Sequence, residues 1–570
     1  MDRSKQTALS RREFIRAAAS AASSALLATA VKAPAALRPP RQQSVEGKEK
    51  AMPQSKDSNR ADLSRRPNII FFMVDQLSAK WLEAASGGIC PTPNFDNLRS
   101  CGATFANAFT SNPVCCPARA SLATGLTTRQ HGVLENGYEL SPALLTFMRL
   151  LQQGGWRTGA FGKVHFRPHF AGVYPDYGPY GFDVTHITED PRAGEWLDWV
   201  EREHPERYEA ALATIWATKI PELKQYGPNK IDLTGRIEEA RKKYHLTDAY
   251  ALPFPEPVSQ TAWITSCAID FILATKADQP LYAHISYVQP HSPFCPPAEY
   301  LERVNVEAIP KPAPAEWIND PLRPKCFDAW RKNSDRVEWW KARRRHYFAD
   351  ICHLDHQLGL IMDALERAGR LENTYIILLS DHGELLGDHG LGSKAEKHYD
   401  ACVRIPMMIA GPGLKGGLRR EEFVQLEDLF PTVLEMAGLD EPKPRFMGPY
   451  LKDKPETHLQ GKSLLRLCRE EAAADWRECA YVESYSPIFT SSFITWARTI
   501  RTRDYRYTMY PKGNGEQLFC LRDDPDEQRN LAGDPQRAAI RQELRDQLME
   551  LIILQDYPHP MRELYALGVH

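Results

Sequence analysis

A cysteine with unusual neighbours is the first candidate for chemistry in this sequence. Cys115 has Pro117 two residues later and Arg119 four residues later, in a Cys-x-Pro-x-Arg pattern. The adjacent Cys116 lacks this spacing, and two neighbouring cysteines suit neither a routine disulfide nor a metal knuckle. Pro117 favours the first turn of a helix, which would place Cys115 at the positive N-terminus of that helix. Of the two adjacent cysteines, only Cys115 therefore has this pattern.

Two acidic residues at the ends of apolar segments are the second candidates. Asp75 follows the almost wholly apolar run 68–74, and Asp381 comes shortly after a similar run at 374–379. An acid after a strand is often only a helix cap. Ligands of α/β proteins, however, gather at the carboxyl ends of the strands, and both aspartates are predicted to lie there. The two positions together predict a shared site.

The elements that must position these residues alternate between strands and helices. The short apolar runs predict central strands that are covered on both faces. Strands are predicted at 68–74, 157–161, 281–288, 374–379 and 405–410. Helices are predicted from Ser141-Pro142 onward, at 259–275 and at 346–368. This alternation predicts an α/β domain with a largely parallel or mixed central sheet between helices.

The two ends of the chain differ from this middle part. Residues 1–32 contain Arg11-Arg12 before an Ala-rich apolar run, which predicts a twin-arginine export signal and a periplasmic or secreted protein. Residues 33–66 are rich in Pro, Arg, Lys and Ser and predict a disordered linker. Residues 67–440 would form the α/β domain. Residues 441–570, with strands near 478–510 and a helix near 535–554, predict a small α+β subdomain.

The composition excludes several classes of protein. The chain has 570 residues and a formal net charge of -2, which argues against a nucleic-acid partner. Twelve cysteines in so long a chain do not form a disulfide scaffold, and they show no regular CxxC pairs of a structural zinc site.

The segment from Cys115 to Gly125 resembles the signature of the sulfatase family, in which this cysteine is oxidised to formylglycine. A second match is GWRTGAFGKVH at 155–165, which contains Lys163 and His165. The resemblance implies an alkaline-phosphatase-like fold and a formylglycine-generating enzyme as the partner for maturation. A hydrated aldehyde carries two hydroxyl groups, so one can attack sulfur and the other can later expel sulfate.

The resemblance also assigns a metal site, composed of Asp75, Gln76, the modified Cys115, Asp381 and His382. Most familiar members have Asp-Asp and Asp-Asn at the paired positions, whereas this chain has Asp-Gln and Asp-His. Similar replacements occur in choline sulfatases and in phosphonate monoester hydrolases of the same superfamily. Mostly oxygen ligands favour calcium, with magnesium or manganese as alternatives.

The remaining catalytic roles also come from the resemblance. Arg119 holds the aldehyde hydrate, Lys163 neutralises charge on the sulfate group, and His165 takes a proton to release sulfate. His291, in a Pro-His-x-Pro segment, or Lys394 would assist departure of the alcohol.

Three functions are compatible with these residues. The first is hydrolysis of a sulfate ester of a small molecule or glycan. The second is hydrolysis of a phosphonate monoester or phosphodiester with the same nucleophile. The third, non-catalytic binding of sulfated glycans, is disfavoured because the nucleophile, metal and lysine positions are all retained. Residues 166–258 are predicted to form loops that determine specificity.

Overall fold

The computed structural model describes residues 66–555, apart from 217–219, 332, 442–459, 472, 486–494 and 512. The predicted export signal lies outside the described residues, and so does the predicted linker except for Arg66. Much of the segment between 441 and 460 is outside them as well, so the boundary between the two predicted domains stays a prediction.

A large mixed sheet forms the centre of the molecule. Its strands are β1 (Asn68–Val74), β2 (Gly102–Phe109), β3 (Arg157–Gly162), β4 (Val184–Ile187), β5 (Leu281–Tyr287), β6 (Thr374–Ser380), β7 (Met407–Ala410) and β8 (Leu418–Gln425). They lie in the order β4-β3-β5-β1-β6-β7-β2-β8. Strands β4, β3, β5, β1 and β6 are parallel to one another, whereas β7 is antiparallel to β6 and β2. The prediction of a mixed α/β sheet is confirmed.

The central strands are buried on both faces, as their continuous apolar sequences predict. Every residue of β1, β5 and β6 is buried. Successive side chains of a strand point to opposite faces. Accordingly, Ile70 and Phe72 belong to the apolar core on one face of the sheet, and Ile69 and Phe71 to the core on the other.

Helices cover both faces of this sheet. Their bounds are α1 (Ala79–Ala84), α2 (Pro93–Cys101), α3 (Cys115–Thr124), α4 (Thr128–His131), α5 (Phe147–Gln153), α6 (Glu195–Glu203), α7 (Tyr208–Ala213), α8 (Thr234–Tyr244), α9 (Gln260–Ala274), α10 (Ala298–Leu301), α11 (Val337–Arg367), α12 (Asp400–Val403), α13 (Leu429–Ala437) and α14 (Leu465–Cys468). No helix in the described part of the chain is both long and apolar enough to span a bilayer.

A small antiparallel sheet follows in the C-terminal part. It contains β9 (Cys479–Ser484), β10 (Ala497–Thr502), β11 (Tyr505–Met509) and β12 (Glu516–Cys520), in the order β12-β11-β10-β9. Helix α15 (Ala538–Leu554) packs on this sheet through Leu544 and Leu548. The sheet and its helix agree with the predicted α+β character.

The local structure differs from the predictions in three places. The helix predicted from Ser141-Pro142 begins only at Phe147, because the hydroxyl of Thr146 accepts the N–H of Arg149 and caps it there. Strands β2, β4 and β8 were not predicted, since their sequences are polar or small rather than continuously apolar. The stretch 166–258 contains α6, α7, α8 and β4 in addition to loops, because an amphipathic helix such as α6 can cover the core between turns.

Candidate functional site

The carboxyl ends of the parallel strands bring the predicted residues together. Asp75 follows β1, Lys163 follows β3 and Asp381 follows β6, and all three side chains are completely buried. His291 lies four residues beyond the end of β5. Because these strands are parallel, their carboxyl ends share one edge of the sheet. That edge is the candidate active site.

Close packing determines where Lys163 leaves its strand. The preceding Gly162 has φ +89°, and a Cβ atom on it would lie 2.1 Å from the carbonyl oxygen of Ser286 in β5. Glycine is therefore required at this position. The N–H of Lys163 donates to that same carbonyl at 2.9 Å, which continues the pairing of β3 with β5 by one residue.

Cys115 is the first residue of α3 and lies at the centre of the site. Its Sγ atom is 2.8 Å from Nζ of Lys394, 3.2 Å from Nε2 of His382 and 3.8 Å from Oδ1 of Asp75. Burial and the Asp75 carboxylate raise the pKa of the thiol to about 11, against the opposite effect of Lys163 and Lys394. The unmodified thiol is therefore protonated at neutral pH and is a weak nucleophile.

Arg119 lies one turn further along α3 and connects three of the strand ends. Its Nε donates to Oδ2 of Asp381 at 2.8 Å, and its Nη1 donates both to the carbonyl of Lys163 at 2.8 Å and to the hydroxyl of Ser286 at 3.0 Å. The guanidinium also lies 3.6 Å from Asp75. Arg119 thus balances the charge of two buried aspartates and determines the spacing of the strand ends.

Four side chains form a candidate metal site. Donor atoms of Asp75, Cys115, Asp381 and His382 all lie within 4.8 Å of one another. Nδ1 of His382 lies 3.1 Å from the carbonyl oxygen of Gly383, so Nδ1 carries the proton and the Nε2 lone pair points toward the other ligands. Burial lowers the pKa of His382 to about 3, which keeps the ring neutral as a metal ligand must be.

Gln76 completes this donor set. Its side chain is buried, and its amide oxygen Oε1 has no hydrogen-bond partner in the described part of the molecule. A buried polar atom of this kind costs free energy unless a ligand or water satisfies it. Two carboxylates, one amide oxygen and one imidazole nitrogen fit a divalent cation.

Lys163 interacts with two carboxylates rather than one. Its ammonium group contacts Asp75 directly and lies 2.5 Å from Oδ1 of Asp190. Although burial alone would lower the pKa of Lys163, Asp190 and Asp75 hold it well above its usual value. Asp190 lies shortly after β4, at the same sheet edge. The sequence reasoning missed it, although an acid soon after a strand was the signal used for Asp75.

His165 stacks on His169 beside this pair. The two imidazole rings are 3.8 Å apart and nearly parallel, and neither ring nitrogen of His165 has a partner among the described residues. Burial, followed by His169 and Lys163, lowers the pKa of His165 well below its usual value. Possible metal-ligand atoms of His165, His169 and Asp190 also lie within 4.8 Å of one another. Rings that stack face to face cannot both bind one ion, however, because each lone pair lies in the plane of its own ring.

His291 and Lys394 lie close enough to Asp75 to interact with its charge. Nδ1 of His291 is 2.6 Å from the carbonyl oxygen of Ser292, so Nδ1 carries the proton and Nε2 is free of one. Burial and Lys394 lower the pKa of His291 to about 4, whereas Cys115 and Asp75 keep the pKa of the buried Lys394 above its usual value. At neutral pH the lysine is therefore charged and the histidine is not.

Comparison with known proteins identifies the family. The sulfatase family model matches residues 67–439, and a model for the C-terminal part of N-sulphoglucosamine sulphohydrolase matches residues 387–553. The first match covers more than half of the chain. The chain therefore belongs to the sulfatase family and is a sulfuric ester hydrolase, which disfavours the non-catalytic binder.

The individual relatives have low sequence identity to this chain but match most of its length. The chain is 27% identical over 477 residues to an arylsulfatase of Clostridium perfringens, with 82% of this chain and 90% of that protein covered. It is 28% identical over 501 residues to a choline-sulfatase of Rhizobium meliloti, with coverage of 82% and 83%. Its fold is similar to that of the phosphonate monoester hydrolase of Agrobacterium radiobacter, with a TM-score of 0.68, 24% identity and coverage of 86% and 96%.

Proposed function

We propose that the protein hydrolyses a sulfate monoester of a small molecule or glycan with a formylglycine made from Cys115 and one bound divalent metal ion. The convergence of Asp75, Cys115, Asp381 and His382 within 4.8 Å carries this proposal. In the overall reaction, water is consumed, the bond between sulfur and the ester oxygen breaks, and the alcohol and hydrogen sulfate are released.

Formylglycine fits position 115 because the thiol itself is poorly suited to attack. The high pKa of the buried thiol leaves it protonated, whereas a hydrated aldehyde supplies one hydroxyl for attack and another for release of sulfate. The start of α3 adds favourable charge for an oxyanion at this position. A formylglycine-generating enzyme would be the partner that makes this modification.

We propose calcium as the metal, with magnesium and manganese as alternatives. Asp75, Gln76, Asp381 and His382 would hold the ion together with an oxygen of residue 115, and mostly oxygen ligands favour calcium. The ion would supply positive charge to bind the sulfate oxygens.

The chain's own residues then carry the proton transfers and balance the charge. Arg119 positions residue 115 against Asp381, and Lys163 and Lys394 provide positive charge for the sulfate oxygens. After the attack, His165 takes a proton from the remaining hydroxyl of residue 115 so that sulfate is released, since both of its ring nitrogens lack partners among the described residues and its ring is neutral. Lys394 rather than His291 assists the departing alcohol, because only Lys394 is charged at neutral pH.

A phosphonate monoester or phosphodiester hydrolase is the second candidate. The pairs Asp75-Gln76 and Asp381-His382 are compatible with it, because the family resemblance relates such pairs to phosphonate monoester hydrolases as well as to choline sulfatases. The fold is also similar to that of a phosphonate monoester hydrolase. Lys163 and His165, which the family resemblance assigns to sulfate binding, favour the sulfate ester.

The test is a parallel assay of the natively matured protein on p-nitrophenyl sulfate and p-nitrophenyl phenylphosphonate, with mass spectrometry of the peptide that contains residue 115. We expect the sulfate to be the better substrate and the cysteine to be converted to an aldehyde. A preference for the phosphonate would favour the second candidate, and an unmodified thiol in active protein would exclude the proposed nucleophile.

We further propose that the protein is exported by the twin-arginine machinery to the periplasm or beyond. The pair Arg11-Arg12 before an apolar run supports this location. Cell fractionation should find the mature protein outside the cytoplasm, and substitution of both arginines by lysine should retain it inside.

A further inference from the structure

The amide of Gln76 is held in one orientation. Its backbone has φ 66°, and its backbone N–H donates to Oδ1 of Asp381 at 3.0 Å. Its side-chain nitrogen Nε2 donates a hydrogen bond to Oε2 of Glu384, whereas Oε1 has no partner among the described residues. The nitrogen of this buried amide therefore faces a carboxylate, whereas its oxygen faces no hydrogen-bond donor among the described residues.

Glu384 is surrounded by donors. Its other oxygen, Oε1, accepts the backbone N–H of Leu386 at 2.9 Å and that of Ser393. Three N–H donors thus surround its two oxygens, which is the arrangement of a carboxylate that accepts at both oxygens. Such a group requires the NH2 end of Gln76 to face it, and the carbonyl oxygen of Gln76 must then point away.

The same carboxylate also reaches the loop that carries the cation beside the nucleophile. Ser393 has φ 64°, and the next residue, Lys394, places its ammonium group 2.8 Å from Sγ of Cys115. Glu384 thus binds Gln76 with one oxygen and the start of this loop with the other. The amide of Gln76 and the start of the Lys394 loop therefore depend on one buried side chain.

We propose that Glu384 is a positioning residue that orients the amide of Gln76, so that Oε1 serves as a metal ligand, and that holds the Lys394 loop in place. This inference rests on the metal-binding part of the proposed function. Because Glu384 would orient a metal ligand without touching the metal, removal of its carboxylate should weaken metal binding by roughly 10- to 100-fold. An amide in place of the carboxylate can present either end to Gln76, so Glu384→Gln should already weaken the metal site.

The experiment measures calcium binding to the full-length, matured and metal-stripped protein by calorimetry. We expect one ion per chain in the wild type and weaker binding by roughly 10- to 100-fold in Glu384→Gln and Glu384→Ala. Glu427→Gln is the matched control, since Glu427 is also a buried glutamate but accepts the hydroxyl of Ser111, which is not one of the proposed metal ligands. If Glu384→Ala does not fold, the isosteric Glu384→Gln provides the comparison.

A double-mutant cycle separates orientation from general support of the fold. Gln76→Ala should weaken binding, and combining it with Glu384→Gln should weaken it little further, because the amide that Glu384 orients is gone. Fully additive losses, or unchanged calcium affinity in Glu384→Gln, would overturn this inference alone. A wild-type protein that binds no divalent ion would overturn both this inference and the metal-dependent function.

Discussion

The ammonium group of Lys394 lies 2.8 Å from the sulfur of Cys115, although 279 positions separate the two residues in the sequence. This contact places a permanent positive charge beside the atom that the family modifies. Lys163, at the end of β3, contacts Asp75, whose carboxylate in turn lies near the same sulfur. The charges around residue 115 therefore come from several separate parts of the chain.

Replacing Cys115 should abolish turnover, and replacing its neighbour should not. We expect Cys115→Ala to lower kcat for p-nitrophenyl sulfate by at least about a thousandfold, because the precursor of the nucleophile is lost. Cys116→Ala is the matched control, since Cys116 is an equally buried thiol that packs in the apolar core. Steady-state kinetics on both variants provides the measurement, and comparable losses in the two would contradict the assignment of Cys115.

Lys394→Met should be most damaging with esters of poorly acidic alcohols. The lysine is proposed to stabilise the departing oxygen, so its loss matters more when that oxygen carries more charge. For an alkyl sulfate we expect a loss in kcat of about a hundredfold, and a much smaller one for p-nitrophenyl sulfate. His291→Gln should show little dependence on the leaving group. The reverse pattern would assign this role to His291.

Asp190→Asn should change the preference between anions. The carboxylate of Asp190 partly neutralises the charge of Lys163. A site with less positive charge binds a singly charged sulfate ester better than a doubly charged phosphate monoester. Without this carboxylate, the ratio of kcat/KM for p-nitrophenyl phosphate to that for p-nitrophenyl sulfate should rise by about tenfold, from a charge effect of about 1.4 kcal/mol. An unchanged ratio would show that Asp190 does not affect charge selectivity.

Arg119→Met should destabilise the metal-free protein. The substitution leaves Asp75 and Asp381 buried with less positive charge, and breaking a buried pair in this way costs about 3–5 kcal/mol. Arg419→Met is the control, because the pair of Arg419 with Glu421 is more than half exposed and contributes no more than about 1 kcal/mol. Denaturant unfolding compares the two, and equal losses would contradict the role given to Arg119.

The stability of the fold should fall in mild acid, partly through His131. Burial lowers the pKa of His131 from 6.5 to about 3, and its Nδ1 accepts the N–H of Val133 at 3.0 Å. Below pH 6.5, His131 therefore binds a proton in the unfolded chain but stays neutral in the folded chain until about pH 3. The free energy of unfolding consequently decreases as the pH falls from 6.5 toward 3. Between pH 7 and pH 5 this one group should account for about 2 kcal/mol.

His131→Asn should reduce the loss of stability between pH 7 and pH 5 by that amount. His245→Asn is the control, since His245 is an exposed histidine on the surface. Denaturant unfolding at the two pH values gives the comparison. An unchanged pH dependence in His131→Asn would mean that His131 is protonated in the folded state.

The sequence by itself determined the central strands and the chemistry that follows them. Continuous apolar runs such as 68–74 and 374–379 can only be buried on both faces, so the strands and the aspartates after them were predictable from local composition. The spacing of Cys115, Pro117 and Arg119 likewise lies within one turn of helix. Such short features can be predicted from a sequence because they depend only on residues that are neighbours in the chain.

Only the tertiary structure decided how these segments are combined. Asp190 contacts Lys163 because β4 lies beside β3, and β4 has no apolar pattern that would predict a strand. Glu384 bonds to Gln76 across 308 positions, and nothing in either local sequence requires that contact. The order of strands and the direction of a buried amide depend on the packing of the whole chain, since the energies that select them come from residues far apart in the sequence.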